Sequence, residues 1–206
     1  MSHEQHMVSL GFTNQSFPAG VHICQIFSDD DERLDALLEF LRSGLAAGEK
    51  SACFTEKLDE KRLADYLADH GLCSEKLKES GALTHSGTSK VYFQGGRFDP
   101  DRMLGVMRNY YDESVANGYP AARVIGEMTA EIETIPGGSR LMEYESRISL
   151  LLKDHPITAV CQYDANTFDG ATIMKVLKVH PLMVIRGAVV HNPYYIPPEE
   201  FLAHQC

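Results

Sequence analysis

The chain has 206 residues, a length typical of a single domain, and its hydrophobic content of 44% is that of a folded protein. Lys and Arg number 19 against 29 Asp and Glu, and the resulting net charge of −10 is divided between both halves of the chain. This balance argues against autonomous binding to nucleic acid, because that affinity rests on basic side chains that neutralise phosphates.

Short apolar segments alternate with amphipathic ones along the chain. Residues 21–27 predict a strand, and 30–47 predict a helix in which leucines recur at helical spacing. A polar, Gly-rich loop is predicted over 87–97, and Ser139 is expected to cap a helix that continues through Leu151. The other predicted strands lie at 51–55, 82–85, 123–127, 157–163, 182–185 and 188–190, and the other predicted helices at 59–70, 100–118 and 168–178.

Strands that alternate with helices of ten or more residues predict an α/β fold with three layers, in which helices cover both faces of a mostly parallel central sheet. The last two strands are close enough in sequence to form a hairpin, so an antiparallel edge is expected near the C-terminus. We expect residues 1–18 to be a flexible N-terminal arm and residues 19–206 to form one domain.

Ligands of parallel sheets bind beyond the carboxyl ends of the strands, and this rule selects a short set of candidate ligand-binding residues. The set contains acids, amides and hydroxyls but no Lys or Arg. Its members are Ser28, Asp29 and Asp30 after the first strand, Glu56 after the second, Glu127 after the fourth, and Gln162 and Tyr163 at the end of the fifth.

The first of these turns argues against a nucleotide site. A phosphate-binding loop would present Gly-rich backbone there, whereas this chain has four carboxylates at 29–32 that repel a triphosphate. The segment 44–50 (GLAAGEK) resembles a phosphate-loop motif only superficially, since its spacing is wrong and it follows a helix rather than a strand. Glu127 stands where a nucleotide hydrolase would hold magnesium or activate water, but it could equally pair with Arg123 or Arg140.

Histidine and cysteine give no further site. His22 and Cys24 share one side of the first strand, but near its start, so a buried, hydrogen-bonded histidine is the simpler interpretation. The five cysteines are odd in number and lack C-x-x-C spacing, which is typical of free thiols in a reducing compartment. We therefore predict a cytoplasmic protein with no catalytic residues, no metal and no cofactor. Tyrosines at the segment ends could line an apolar cleft or serve only in packing.

Several short sequence motifs in a fixed order make the chain resemble the MEDS domain family. These are sensory domains of methanogens and methylotrophs, and the family includes the regulator of dichloromethane dehalogenation. The resemblance spans about residues 19–202. The motifs are His22-Ile23-Cys24, Phe40-Leu41-x-x-Gly44-Leu45-x-x-Gly48-Glu49, Gly95-x-x-Phe98-Asp99-Pro100, Arg123-x-x-Gly126-Glu127-Met128, Tyr144-Glu145, Gln162-Tyr163-Asp164, His180-Pro181 and Asn192-Pro193-Tyr194-Tyr195.

This resemblance implies a RecA/KaiC-like fold that lacks the phosphate-binding loop, and a non-catalytic role in sensing small, hydrocarbon-derived ligands. It also implies output through a kinase, an anti-sigma-type protein or a transcription regulator, which we expect to be a separate protein. We expect no direct contact with nucleic acid or membrane. The alternatives are a degenerate nucleotide-binding protein or hydrolase that uses Glu127, and a self-associating assembly module.

Overall fold

The computed structural model describes residues 6–204, and its central layer is a seven-stranded sheet. Its strands are β3 (His22–Phe27), β4 (Lys50–Phe54), β5 (Leu83–Ser86), β6 (Ala122–Met128), β7 (Ile157–Asp164), β8 (Leu182–Ile185) and β9 (Ala188–His191). A separate two-stranded sheet is formed by β1 (Met7–Ser9) and β2 (Ser16–Pro18). Within the seven-stranded sheet the order is β5-β4-β6-β7-β3-β8-β9. All neighbours are parallel except β8 and β9, which pair antiparallel. The predicted fold class and antiparallel edge are confirmed.

The long helices alternate with the strands as the sequence predicts. The helices are α1 (Asp30–Ala46), α2 (Glu60–Asp69), α3 (Ser74–Glu79), α4 (Thr88–Tyr92), α5 (Pro100–Ala116), α6 (Leu141–Asp154), α7 (Gly170–Val179) and α8 (Pro198–Ala203). The short helices α3 and α8 were not predicted, and α4 lies inside the predicted loop. Ser139 does not cap α6, because it lies within a 3₁₀ turn, Gly138–Arg140, that precedes the helix.

Two apolar cores lie on the two faces of the sheet, because successive residues of a strand point to opposite sides. On one face Ile23 and Ile125 pack with leucines of α1 and α2. On the other, Cys24 and Val124 pack with residues of α5, α6 and α7. Each central strand is therefore covered on both sides.

Two aspartates fix the starts of the longest helices. The carboxylate of Asp29 accepts hydrogen bonds from the backbone N–H groups of Asp31 and Glu32, which caps α1. Asp99 caps α5 in the same way, and Pro100 occupies the first turn as predicted. The starting points of both helices are thus encoded locally.

Part of the expected N-terminal arm is ordered structure. β1 and β2 pair antiparallel, and Val8 and Leu10 are buried in the core on the α1 side of the sheet. The sequence does not predict this hairpin, because its few apolar residues are surrounded by polar ones. Residues 1–5 lie outside the described part of the chain, and the proposed domain boundary after residue 18 stays a prediction.

Membrane-spanning structure was searched over residues 6–204. None of the helices in that range combines the length and the apolar character that crossing a bilayer requires.

Candidate functional site

The carboxyl ends of the parallel strands meet at one edge of the sheet. There, only Ser28 and Asp29 separate β3 from α1. The N–H groups at the start of α1 already bond to Asp29, and the backbone carbonyl of Ser28 accepts a hydrogen bond from Asn166. The helix terminus that could bind an anion is therefore occupied by the chain's own carboxylate.

A network of charged side chains surrounds Glu127 at this edge. Glu127 is 2% exposed and accepts a 2.6 Å hydrogen bond from the hydroxyl of Thr55. The ammonium group of Lys57 lies 3.0 Å from one carboxylate oxygen of Glu127, and the guanidinium of Arg33 lies 3.8 Å from the other. Lys57 also lies 3.3 Å from Asp164.

The candidate set contains no Lys or Arg, but two cations, Lys57 and Arg33, lie at this edge. Lys57 follows β4 by three positions and reaches back over β6 and β7, while Arg33 lies one turn inside α1 and bonds to Asp30. Neither side chain directly follows a strand, so a rule based on strand ends misses both. Glu127 does pair with basic side chains, but these are Lys57 and Arg33 rather than the alternatives Arg123 and Arg140.

The predicted ligand-binding residues divide into separate groups. Asp30 and Glu127 share Arg33 and Lys57. Glu56 accepts hydrogen bonds from the backbone N–H and the hydroxyl of Ser89. These side chains therefore bond mainly to the protein itself.

Gln162 and Tyr163 point to opposite faces of the sheet because they are neighbours on β7. Gln162 donates to the side-chain oxygen of Gln25 on the α1 side. Tyr163 is fully buried on the α6 side, where its hydroxyl donates a 2.6 Å hydrogen bond to Glu145. Tyr163 thus belongs to a different environment from the other predicted residues.

An open cleft of about 580 Å³ lies beside this edge, between α1 and the β8–β9 turn. Its apolar lining comes from Phe12, Ala36 and Val184, while Asp29, Asp31, Glu32, Asp35 and Glu39 supply carboxylates and Arg186 supplies the single cation of the lining. Of the predicted residues, Asp29 alone lines it.

A second group of polar side chains lies within the core on the α6 side, and we call it the His–Glu–Cys cluster. Its members are His22, Glu145, Cys161 and His180, whose ligand atoms all lie within 4.8 Å of one another. The two histidines and the glutamate are at most 2% exposed. Cys161 borders a cavity of about 20 Å³, which has room for about one water-sized molecule.

Burial and mutual contact perturb the pKa values of this cluster. Burial lowers the pKa of His180 to about 3, and the neighbouring His22 contributes. Burial alone would raise the pKa of Glu145, but hydrogen bonds from His22 and Tyr163 and the proximity of His180 lower it. Burial raises the pKa of the Cys161 thiol well above its ordinary range.

The sequence does not predict that the four members of the cluster lie together. His22 is buried and hydrogen-bonded, as predicted, and its polar partners come from α6 and β7. The ring of His180, which follows α7, packs against it with 4.2 Å between ring centroids. Three of the motifs shared with MEDS domains contribute to the cluster, namely those that contain His22, Glu145 and His180. These motifs are the sequence signal from which the cluster could be predicted.

A family model described as MEDS, the methanogen/methylotroph, DcmR sensory domain, matches residues 21–181. The chain belongs to the MEDS family. Among curated proteins it is 25% identical over 162 residues to the transcriptional repressor DcmR of Methylorubrum extorquens. That match covers 77% of this chain and 57% of the repressor, so the chain spans little more than half of its relative's length.

Two solved structures show the same fold. The KaiC-like protein PH0186 of Pyrococcus horikoshii aligns with a TM-score of 0.59 and 15% identity, covering 86% of this chain and 79% of that one. The flagellar accessory protein FlaH of Methanocaldococcus jannaschii aligns with a TM-score of 0.59 and 10% identity, covering 90% and 84%. This MEDS domain therefore has a RecA-like architecture.

Proposed function

We propose that this MEDS domain is a non-catalytic cytoplasmic sensor that binds a small organic molecule at the carboxyl edge of its sheet. Its signal passes to a separate regulatory protein, and transcription is the regulated process. The family match and the similarity to a transcriptional repressor support the regulatory role. A population shift provides the coupling, so the ligand must bind one state of the domain better than the other.

The observation that supports this proposal most is that side chains of the protein itself already bond to the polar groups at the carboxyl edge of the sheet. Asp29 caps the N–H groups that would otherwise attract phosphate, and Lys57 and Arg33 neutralise Glu127. Both oxygens of this carboxylate are already in contact with the protein, which leaves little room for magnesium or for a catalytic water. These contacts therefore favour binding without turnover.

The cleft beside α1 suggests the chemistry of the ligand. Phe12, Ala36 and Val184 favour an apolar body, and the carboxylates around them disfavour an anion. The proposed ligand is thus a small neutral or cationic molecule. Ser28, Asp29, Asp30, Glu56, Glu127, Gln162 and Tyr163 remain the proposed ligand-responsive residues of the edge.

Thermal unfolding with added probes tests the proposal. We expect methanol, dichloromethane or methylammonium to raise the melting temperature without being converted. Asp35→Lys places a long cationic side chain in the cleft and should abolish the shift. Asp112→Lys makes the same change on an exposed site of α5, on the other face of the sheet, and should keep it. An equal shift in both variants, or no shift with any probe, contradicts the proposed site.

The position of Glu127 at the end of β6 favours one alternative, a residual nucleotide-binding or hydrolytic activity. Calorimetric titration with ATP and magnesium separates the two functions. Heat of binding, or phosphate release that Glu127→Gln abolishes, would replace the sensor by a hydrolase. A titration without heat, together with a probe-induced thermal shift, is the result that we expect.

A further inference from the structure

The four side chains of the His–Glu–Cys cluster converge from four separate elements. His22 opens β3, Glu145 lies in α6, Cys161 lies in β7, and His180 directly follows α7. Two imidazoles, a carboxylate and a thiol are the donor types found around zinc in proteins. The cluster lies on the opposite face of the sheet from the network around Glu127, and none of its four members lines the cleft beside α1.

Four of the six separations between the donor atoms match the edges of a metal-centred tetrahedron, and all six are within 4.8 Å. Oε2 of Glu145 lies 3.3 Å from Nε2 of His22 and 3.6 Å from Nε2 of His180. The sulfur of Cys161 lies 3.5 Å from Nε2 of His22 and 3.7 Å from the same carboxylate oxygen. Zinc–ligand distances of about 2.0–2.3 Å place neighbouring tetrahedral ligands roughly 3.3–3.8 Å apart.

One metal-binding atom of the cluster, Nε2 of His180, lacks a hydrogen-bond partner in the described part of the chain. Nδ1 of His180 lies 2.8 Å from the carbonyl oxygen of Val176, which can only accept, so Nδ1 carries the proton. In the neutral ring, Nε2 then presents a lone pair. That atom is buried, has no hydrogen-bond partner among residues 6–204, and faces a carboxylate oxygen that is also an acceptor. A cation between them would satisfy both.

The surrounding side chains hold the donors in orientations typical of metal ligands. Nδ1 of His22 lies 2.9 Å from the hydroxyl of Ser149, and Nδ1 of His180 donates to Val176. Tyr163 donates to Oε1 of Glu145, which leaves Oε2 directed at the other three residues. Metal-binding histidines and carboxylates are commonly fixed by such outer hydrogen bonds.

We propose that His22, Glu145, Cys161 and His180 bind one zinc ion in a closed, tetrahedral site. A glutamate carboxylate and a cysteine thiolate balance the two positive charges of the ion, so the buried centre is neutral. Binding displaces the thiol proton of Cys161 to solvent, and no electron is transferred. The adjacent cavity admits little more than a water molecule, so the site has a structural character.

Metal analysis and cobalt spectroscopy test this site on the full chain. After chelation and reloading, we expect about one zinc per chain by mass spectrometry. With Co²⁺ alone as the probe, we expect the visible bands of a tetrahedral ion and a thiolate-to-cobalt charge-transfer band. Cys161→Ser should remove the charge-transfer band, whereas Cys53→Ala, which changes a buried cysteine on the other face, should keep it.

Milder variants keep the test valid if a ligand variant fails to fold. Ser149→Ala and Tyr163→Phe remove outer hydrogen bonds while the four ligands stay in place. Each should weaken cobalt affinity by about 10- to 100-fold. Substoichiometric metal in the wild type would overturn the proposal. Spectra unchanged by Cys161→Ser, or affinities unchanged by both milder variants, would also overturn it.

Discussion

Arg123 is the centre of one set of buried polar contacts on the α1 face. Its guanidinium is fully buried, lies 2.6–2.7 Å from the carboxylate of Glu49, and donates to the carbonyl oxygens of Ser9 and Phe40. A Cβ atom at Gly44 would lie 2.2 Å from Nε of Arg123, so the helix needs glycine where it passes this side chain. The arginine of one family motif is therefore surrounded by three residues of another, Phe40, Gly44 and Glu49.

Replacing Arg123 tests this arrangement. Arg123→Met leaves Glu49 buried without its partner, and we expect a loss of about 3–5 kcal/mol in the free energy of unfolding. The double variant Arg123→Met/Glu49→Met removes both charges and should recover part of that loss. Urea denaturation measures each value, and Arg62→Met on the exposed side of α2 is the control. A double variant less stable than Arg123→Met would contradict the interpretation.

At the scale of elements, the β1–β2 hairpin extends the domain beyond the central sheet. β1 contacts α1, and the carbonyl oxygen of Ser9 accepts from Arg123, so the hairpin is joined to the core by both apolar and polar contacts. The chain leaves β1 through Gly11, whose φ of +81° suits glycine and whose Cβ would collide with the carbonyl of Glu39. The hairpin is thus shaped to fit α1.

Truncation of Leu10 tests whether the hairpin stabilises the domain. Leu10 is 0% exposed, and Leu10→Ala should lower the free energy of unfolding by about 2–5 kcal/mol because it leaves a cavity. Met7→Ala in the same hairpin alters a side chain that is 54% exposed and should change stability by less than about 0.5 kcal/mol. Chemical denaturation compares the two, and equal, small effects would mean that the segment behaves as a loose arm.

At the scale of the whole molecule, buried polar groups lie on both faces of the sheet. The network of Glu127 lies towards the carboxyl edge on the α1 face, and the His–Glu–Cys cluster lies within the core on the α6 face. β7 contributes to both, with Asp164 in the network and Cys161 in the cluster, because its residues alternate between the faces.

Zinc should stabilise the whole fold, because the proposed ligands come from segments that are distant in sequence. At free zinc 100 times its dissociation constant, binding to the native state alone adds about 2.7 kcal/mol. For a domain of this size the melting temperature should rise by about 5–10 °C. Differential scanning calorimetry with and without a chelator measures the shift. His180→Gln should eliminate it, while His70→Gln, on an exposed helix end, should retain it.

The sequence by itself determined the α/β class, the parallel sheet, the antiparallel edge and the starts of α1 and α5. These features rest on local patterns, namely hydrophobic periodicity, N-capping aspartates and turn residues, which act within a few positions of one another. The family motifs also indicated the MEDS domain. The short helices and the β1–β2 hairpin were not predicted, because their periodic patterns cover too few residues.

Only the tertiary structure decided which polar residues meet. Lys57 reaches Glu127 across neighbouring strands, and His22 meets Glu145, Cys161 and His180 from four segments of the chain. The strand order β6-β7-β3-β8 brings these segments together, and no local pattern encodes that order. In the sequence these residues are separate acids, cations and histidines. Folding brings them together as an ion-pair network on one face and a cluster of metal-ligand type on the other.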